Sequence, residues 1–278
     1  MTIQDVKFVQ GFIRLCNDGW LQGWHERNGG NLSYRIRPQE VAEVRPFLHE
    51  PGEWRPIGTS VPELSGEFFM VTGSGKYFQN VALDPEDTCC ILEVDDSGEN
   101  YRIHWGLCNG GRPTSELPSH LMNHEVKKIL SGGKHRVIYH AHPANIIALT
   151  FVLPLSDEVF TRELWEMMTE CPVIFPDGVG VIEWMVPGGR AIAVRTSELM
   201  KKYDVAIWAH HGMFASGDTF DNTFGLFHAV EKAAEIMVKV ISMIGGTKRQ
   251  TIQPQDFRDL AVDFDLTLPE RFLYEKKD

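Results

Sequence analysis

Short apolar runs suited to β-strands alternate with segments of helical periodicity along most of this 278-residue chain. Phe68-Phe69-Met70-Val71-Thr72 reads as a buried strand, and residues 90–94 and 101–105 flank the turn-forming stretch 95–100 as a β-hairpin. Residues 32–36, 137–142, 173–175, 179–186 and 205–209 are further expected strands. Helices are predicted over 4–24, 144–153, 159–168 and 191–202, and a long one follows the stripe Leu226, Val230, Ala233, Met237 and Val240 to a stop at Gly245-Gly246. Pro113-Thr114-Ser115-Glu116-Leu117-Pro118 predicts another helix start, a hydroxyl cap and then a first-turn proline, with the helix running to about Leu130. This interleaving, without repeats or low-complexity tracts, predicts an α/β fold: a single domain over 1–278 with a central mixed β-sheet covered by helices. Residues 38–66, with several prolines and little periodicity, read as an elaborated surface segment, and the polar tail 247–278 carries no clear structural signal.

Bulk properties narrow the partners. The net charge is −11 and no Lys/Arg-rich run occurs, which argues against nucleic acid. An acidic chain can still bind a phosphorylated small molecule locally, through neutral donors and helix ends. The five cysteines (Cys16, Cys89, Cys90, Cys108 and Cys171) are odd in number and lack a C-x-x-C pair, so neither a disulfide framework nor a cysteine zinc site is expected. With no recognisable signal peptide and no apolar run able to span a bilayer, the expectation is a cytoplasmic protein with no membrane partner.

The chemistry concentrates at Val137-Ile138-Tyr139-His140-Ala141-His142-Pro143. On a strand, residues i and i+2 leave on the same face, so His140 and His142 can reach one point and supply half of a divalent-metal site. His211, after the apolar run 205–209 and before Gly212, is the third candidate. Three neutral imidazoles would leave a zinc ion its full charge and an open position, the arrangement of a catalytic site. Glu116 is the candidate proton-transfer group; alternatively, its carboxylate merely complements a helix dipole. A rival set exists in Glu116, His120 and His124, spaced i, i+4 on one helix, with His124 alternatively facing solvent. His210 competes with His211, and adjacent strand residues would point to opposite faces. Asn28-Gly29-Gly30-Asn31, Gly73-Ser74-Gly75 and Thr114-Ser115 are small-residue turns that can offer backbone N–H groups and short polar side chains to a phosphate.

Taken in order, Asn28-Gly29-Gly30-Asn31, Thr72-Gly73-Ser74-Gly75, Thr114-Ser115-Glu116, His140-Ala141-His142 and His211-Gly212 resemble the class II aldolase/adducin family. The resemblance runs from the first helix to about Gly246 and is carried by the combination of motifs. It implies a three-layer α/β/α fold and a homotetramer with active sites near subunit contacts. It also implies one Zn2+ per subunit on His140, His142 and His211. Glu116 would handle the proton, Glu170 would be a second acid, and Asn28, Asn31, Ser74, Gly75, Thr114 and Ser115 would hold a phosphate. The implied reaction is reversible cleavage of L-rhamnulose 1-phosphate to dihydroxyacetone phosphate and L-lactaldehyde through a zinc-stabilised enediolate. Other sugar-phosphate aldolases, a 4-epimerase, a non-catalytic adducin-like oligomerisation module and a metal hydrolase are the alternatives. The glutamate at 116 argues against the epimerases, which resemble this pattern with aspartate there.

Overall fold

The computed structural model describes residues 2–245 and 248–276. In chain order the elements are α1 (Lys7–Leu21), β1 (Asn31–Arg35), α2 (Pro38–Val44), β2 (Arg55–Pro56), β3 (Phe68–Thr72), α3 (Pro85–Thr88), β4 (Cys89–Val94) and β5 (Asn100–Gly106). They continue with α4 (Leu117–Leu130), β6 (Val137–Ala141), α5 (Ala144–Leu149), α6 (Asp157–Trp165), α7 (Cys171–Ile174), β7 (Gly180–Ile182) and α8 (Arg190–Met200). The chain closes with β8 (Val205–Trp208), β9 (Gly212–Gly217), α9 (Phe220–Ile244) and α10 (Pro254–Asp263).

All nine strands form one sheet in the order β2-β5-β4-β3-β1-β6-β9-β8-β7. Among the described residues only the β7–β8 pair is parallel, so the sheet is mixed, as expected. Alternation along β6 shows why both faces need covering. Val137, Tyr139 and Ala141 join the core under α1, α5, α6 and α9, while Ile138 packs on the opposite side with Phe214 and with Ile192 and Met200 of α8. Phe69 and Val71 of β3 meet Leu117 and Leu121 of α4 on that second side. The result is helix, sheet, helix: the three layers the family resemblance implied.

The long helix α9 illustrates local control. The Thr219 side chain accepts from the Asn222 N–H at its start, a cap that stabilises by about 1 kcal/mol. Gly245 takes the left-handed conformation at its end with φ 67°; the other half of the expected Gly245-Gly246 stop lies outside the described residues.

Several expectations are corrected. Val173-Ile174-Phe175 is not a strand: Cys171–Ile174 is a short helix with Pro172 in its first turn, where the missing N–H costs nothing. Within 179–186 only Gly180–Ile182 pairs, and Trp184 and Val186 are exposed beyond the sheet edge. The expected helices over 144–153 and 159–168 shorten to α5 and α6, the latter beginning at a Ser156 cap. The surface segment 38–66 contains α2, opened by Pro38, and the two-residue edge strand β2. Helix α4 starts one step beyond the expected hydroxyl cap, with Glu116 at the N-cap and the Thr114 hydroxyl accepting the Glu116 N–H at 3.2 Å. Strand β9 was not foreseen, and neither was ordered structure in the tail. There, Phe257 and Phe272 bury against Trp165, and Lys248 reaches Glu163 at 2.7 Å.

Candidate metal centre and active site

Register builds the site. Asn31 lies directly opposite His140 across β1–β6, and His140 opposite Phe214 across β6–β9, so these three side chains leave the same face, the one under α4 and α8. Ser33 pairs with Val71, which sets the Asn28-Gly29-Gly30-Asn31 turn and the Gly73-Ser74-Gly75 turn at the same end of neighbouring strands. Gly73 bridges to Pro113, the Ser74 N–H donates to the Arg112 carbonyl at 2.8 Å and the Thr114 N–H to the Thr72 carbonyl at 2.9 Å. All three small-residue turns therefore converge at the end of the sheet where His140 and His142 emerge. Thr114 is buried, whereas Asn28, Ser74, Gly75 and Ser115 line the solvent-facing rim.

His140, His142 and His211 each present one ring nitrogen within 4.8 Å of the other two. They are the sole such group of histidine, cysteine and carboxylate side chains among the described residues. His211 does not sit on a strand. It occupies the turn between β8 and β9, its N–H bonded to the Trp208 carbonyl at 3.1 Å. Its neighbour His210 takes φ 61° and turns to the Thr150 hydroxyl at 3.2 Å, so it is His211 that lies beside His140 and His142. Gly212 is needed here, because a Cβ at that position would collide with the Ala141 carbonyl.

The tautomers of the first two rings follow from their partners. His140 Nδ1 faces the Met213 carbonyl at 3.0 Å and must donate, leaving Nε2 as a lone pair. His142 Nδ1 faces Glu26 Oε1 at 2.6 Å and likewise donates. Both Nε2 atoms are buried and have no hydrogen-bond partner. Two orphaned, convergent imidazole lone pairs with a third ring beside them fit a borderline divalent cation such as zinc. Burial, reinforced by the neighbouring imidazoles, keeps His140 far below its usual proton affinity, and burial lowers His211 to about 4. Both rings are therefore neutral and ready to bind a cation.

Glu116 Oε2 lies 3.6 Å from His140 Nε2 and accepts from Asn31 Nδ2 at 2.9 Å. Burial raises its proton affinity, opposed by the Asn31 hydrogen bond and by His142. The rival helical set is not a metal group. His120 and His124 are both buried, so His124 does not face solvent, and both are hydrogen-bonded to the Ser33 hydroxyl, at 2.6 and 2.8 Å.

Glu170 is not brought to this place. It is exposed at the N-terminus of α7, among the helices of the opposite face, and makes no hydrogen bond or ion pair with the other site residues among those described. Two contributors were missed in the sequence. Glu26 orients His142, and buried His25 holds the glycine turn, donating from Nδ1 to the Gly29 carbonyl at 2.9 Å while Nε2 accepts from Tyr139 at 2.7 Å. The signal was present, since both residues lie in the five positions before Gly30, but nothing local distinguishes them from surface polar residues.

A family model for the class II aldolase and adducin N-terminal domain matches residues 10–238, and the chain belongs to that family. It is a class II aldolase, a lyase, and class II aldolases are metal-dependent. Rhamnulose-1-phosphate aldolase of Mannheimia succiniciproducens is 51% identical over 260 residues, covering 94% of this chain and 95% of that protein. The enzyme of the same name from Pectobacterium atrosepticum is 49% identical, with 94% of both chains covered. The crystal structure of a sugar-phosphate aldolase from Thermotoga maritima shares the fold with a TM-score of 0.72 at 26% identity, covering 85% of this chain and 96% of that one.

Proposed function

We propose that this aldolase reversibly cleaves L-rhamnulose 1-phosphate to dihydroxyacetone phosphate and L-lactaldehyde, using one Zn2+ per subunit held by His140, His142 and His211. The observation that carries the reading is two buried, unpartnered imidazole Nε2 atoms with a buried carboxylate 3.6 Å from one of them. Such a constellation suits carbon–carbon cleavage that leaves an anion. A cation held by the three histidines would supply Lewis-acid stabilisation of the negative charge developing on the three-carbon phosphate fragment. Glu116, whose burial strengthens its hold on a proton, gives that proton to the carbon that loses its bond in cleavage, while the hydroxyl proton of the carbon that becomes the aldehyde is released to solvent; the reverse direction takes both paths backwards. No lysine Schiff base is required.

The phosphate is assigned to the converging turns. Thr114, Ser115 and Ser74 contribute hydroxyls, Asn28 its side-chain amide, and Gly75 backbone that can approach closely. Asn31 has a second amide hydrogen beyond the one given to Glu116. The names of the two relatives, at about half identity over nearly the full chain, support the choice of sugar. The same reading includes a cytoplasmic enzyme of rhamnose catabolism, one domain per chain, assembled as a homotetramer. Exposed Glu170 keeps in it the role of a second acid. No helix among the described residues is long and apolar enough to cross a membrane.

The test is a coupled assay for dihydroxyacetone phosphate from L-rhamnulose 1-phosphate, before and after chelation and again with zinc restored. Activity that disappears with the chelator and returns with zinc is the expected result. A folded, zinc-loaded protein that releases none overturns the substrate and shifts the reading to another sugar phosphate.

A further inference from the structure

Behind Glu116, a file of buried polar groups runs away from the triad. Glu116 Oε2 meets Asn31 Nδ2 at 2.9 Å, and Asn31 Oδ1 meets His120 Nε2. His120 Nδ1 meets the Ser33 hydroxyl at 2.6 Å, and the same hydroxyl meets His124 Nε2 at 2.8 Å. Asn31, Ser33, His120 and His124 are all buried, and among the described residues neither histidine hydrogen-bonds a carboxylate. Burial drives His120 down to about 3 and His124 well below its ordinary value, so each ring is neutral, with one N–H and one lone pair.

One boundary condition then orders the whole file. A carboxylate can only accept, so Asn31 turns its NH2 toward Glu116 and its carbonyl toward His120. His120 must donate from Nε2, which leaves Nδ1 to accept from the Ser33 hydroxyl, and Ser33 in turn accepts from the His124 Nε2–H. Every donor points toward Glu116. At the far end His124 Nδ1 is buried without a partner, which in this tautomer is a bare acceptor and not an orphaned N–H.

We propose that His120 is a positioning residue, locked in its Nε2–H tautomer by Ser33 and His124, that fixes the Asn31 amide against Glu116. Oε2 is thereby held as an acceptor, while Oε1, which makes no hydrogen bond among the described residues, is left for the proton. Without the His120 donor the amide can flip and set its carbonyl against the carboxylate. The inference rests on the role given to Glu116 under Proposed function.

The variants are His120→Phe, which fills the space without a donor, and His120→Gln, which keeps an N–H near the Nε2 position. In the zinc-loaded enzyme, His120→Phe should lower kcat roughly 10- to 100-fold, the worth of one hydrogen bond to a charged group, with KM changed less than about threefold. Zinc content should be unchanged, and His120→Gln should recover to within about fivefold of the parent. Equal impairment of the two variants, or wild-type kcat in His120→Phe, would overturn the proposal. A second readout is independent of turnover: nitrogen NMR of histidine-labelled protein should show His120 and His124 as Nε2–H tautomers. An Nδ1–H His120 defeats the proposal even in an active enzyme. A parent that cleaves no sugar phosphate while showing the Nε2–H tautomers would defeat the substrate reading and leave the wiring intact.

Discussion

Two groups of histidines occupy the same face of the sheet, and their environments differ in what they leave each ring free to do. In the first, His140 and His142 spend Nδ1 on the Met213 carbonyl and Glu26, so their Nε2 lone pairs point into a shared space with no protein partner. In the second, both nitrogens of His120 are taken by Ser33 and Asn31, and His124 is tied to the same hydroxyl. His140, His120 and His124 are neutral because burial penalises the charged ring. The difference is what the lone pairs meet. Rings whose unpaired nitrogens converge on one space can bind a cation, whereas His120, closed at both ends, is suited to holding its neighbours in orientation. Spacing alone does not separate them, since i, i+4 on a helix is as good a ligand pattern as i, i+2 on a strand.

The comparison is broken most decisively at the triad. His142→Ala should lose both zinc, measured by elemental analysis, and at least roughly 10³-fold in cleavage rate. Zinc retained at one equivalent would remove His142 from the ligand set. Next in size, Glu116→Ala should keep its zinc while turnover falls about 10²- to 10⁴-fold, the range for a general acid–base group. Full activity there would defeat the assigned role. Glu26→Ala, which frees the His142 ring to change tautomer, should weaken zinc binding about 10- to 100-fold in a competition titration and leave the zinc-saturated rate much less affected. The smallest effect concerns pH. His120 is held at about 3 in the folded state against 6.5 ordinarily, so between those values the unfolded chain binds more protons. Its contribution is complete above 6.5 and is lost as pH falls toward 3. Melting curves of zinc-free protein should therefore drop less across that window in His120→Gln than in the parent; equal slopes would mean the ring is not a buried neutral imidazole.

Much of this site could be read in the chain before folding. His140 and His142 were legible because strand periodicity is local, and Glu116 because a helix start with Pro118 has a clear pattern. Val173-Ile174-Phe175 misled for the same reason: β-branched residues suggest a strand, but Pro172 and the exposure of Ile174 favour a turn of helix. The tail was illegible because its apolar contacts, Phe257 and Phe272 on Trp165, are widely spaced in sequence and bury only against a distant helix.

Composition and periodicity by themselves determined an α/β chain with a mixed sheet, three histidines able to meet and three turns able to hold an anion. Those properties depend on interactions within a few residues, where backbone geometry dictates which side chains share a face. Tertiary structure alone brought His211 beside His140 and His142, gave the pair Glu26 and Met213 to set their tautomers, and wired His120 and His124 through Ser33 to Asn31. Each of those choices is made by a hydrogen-bond partner remote in sequence, brought near by strand register. A ring nitrogen becomes donor, acceptor or ligand only when that partner is in place.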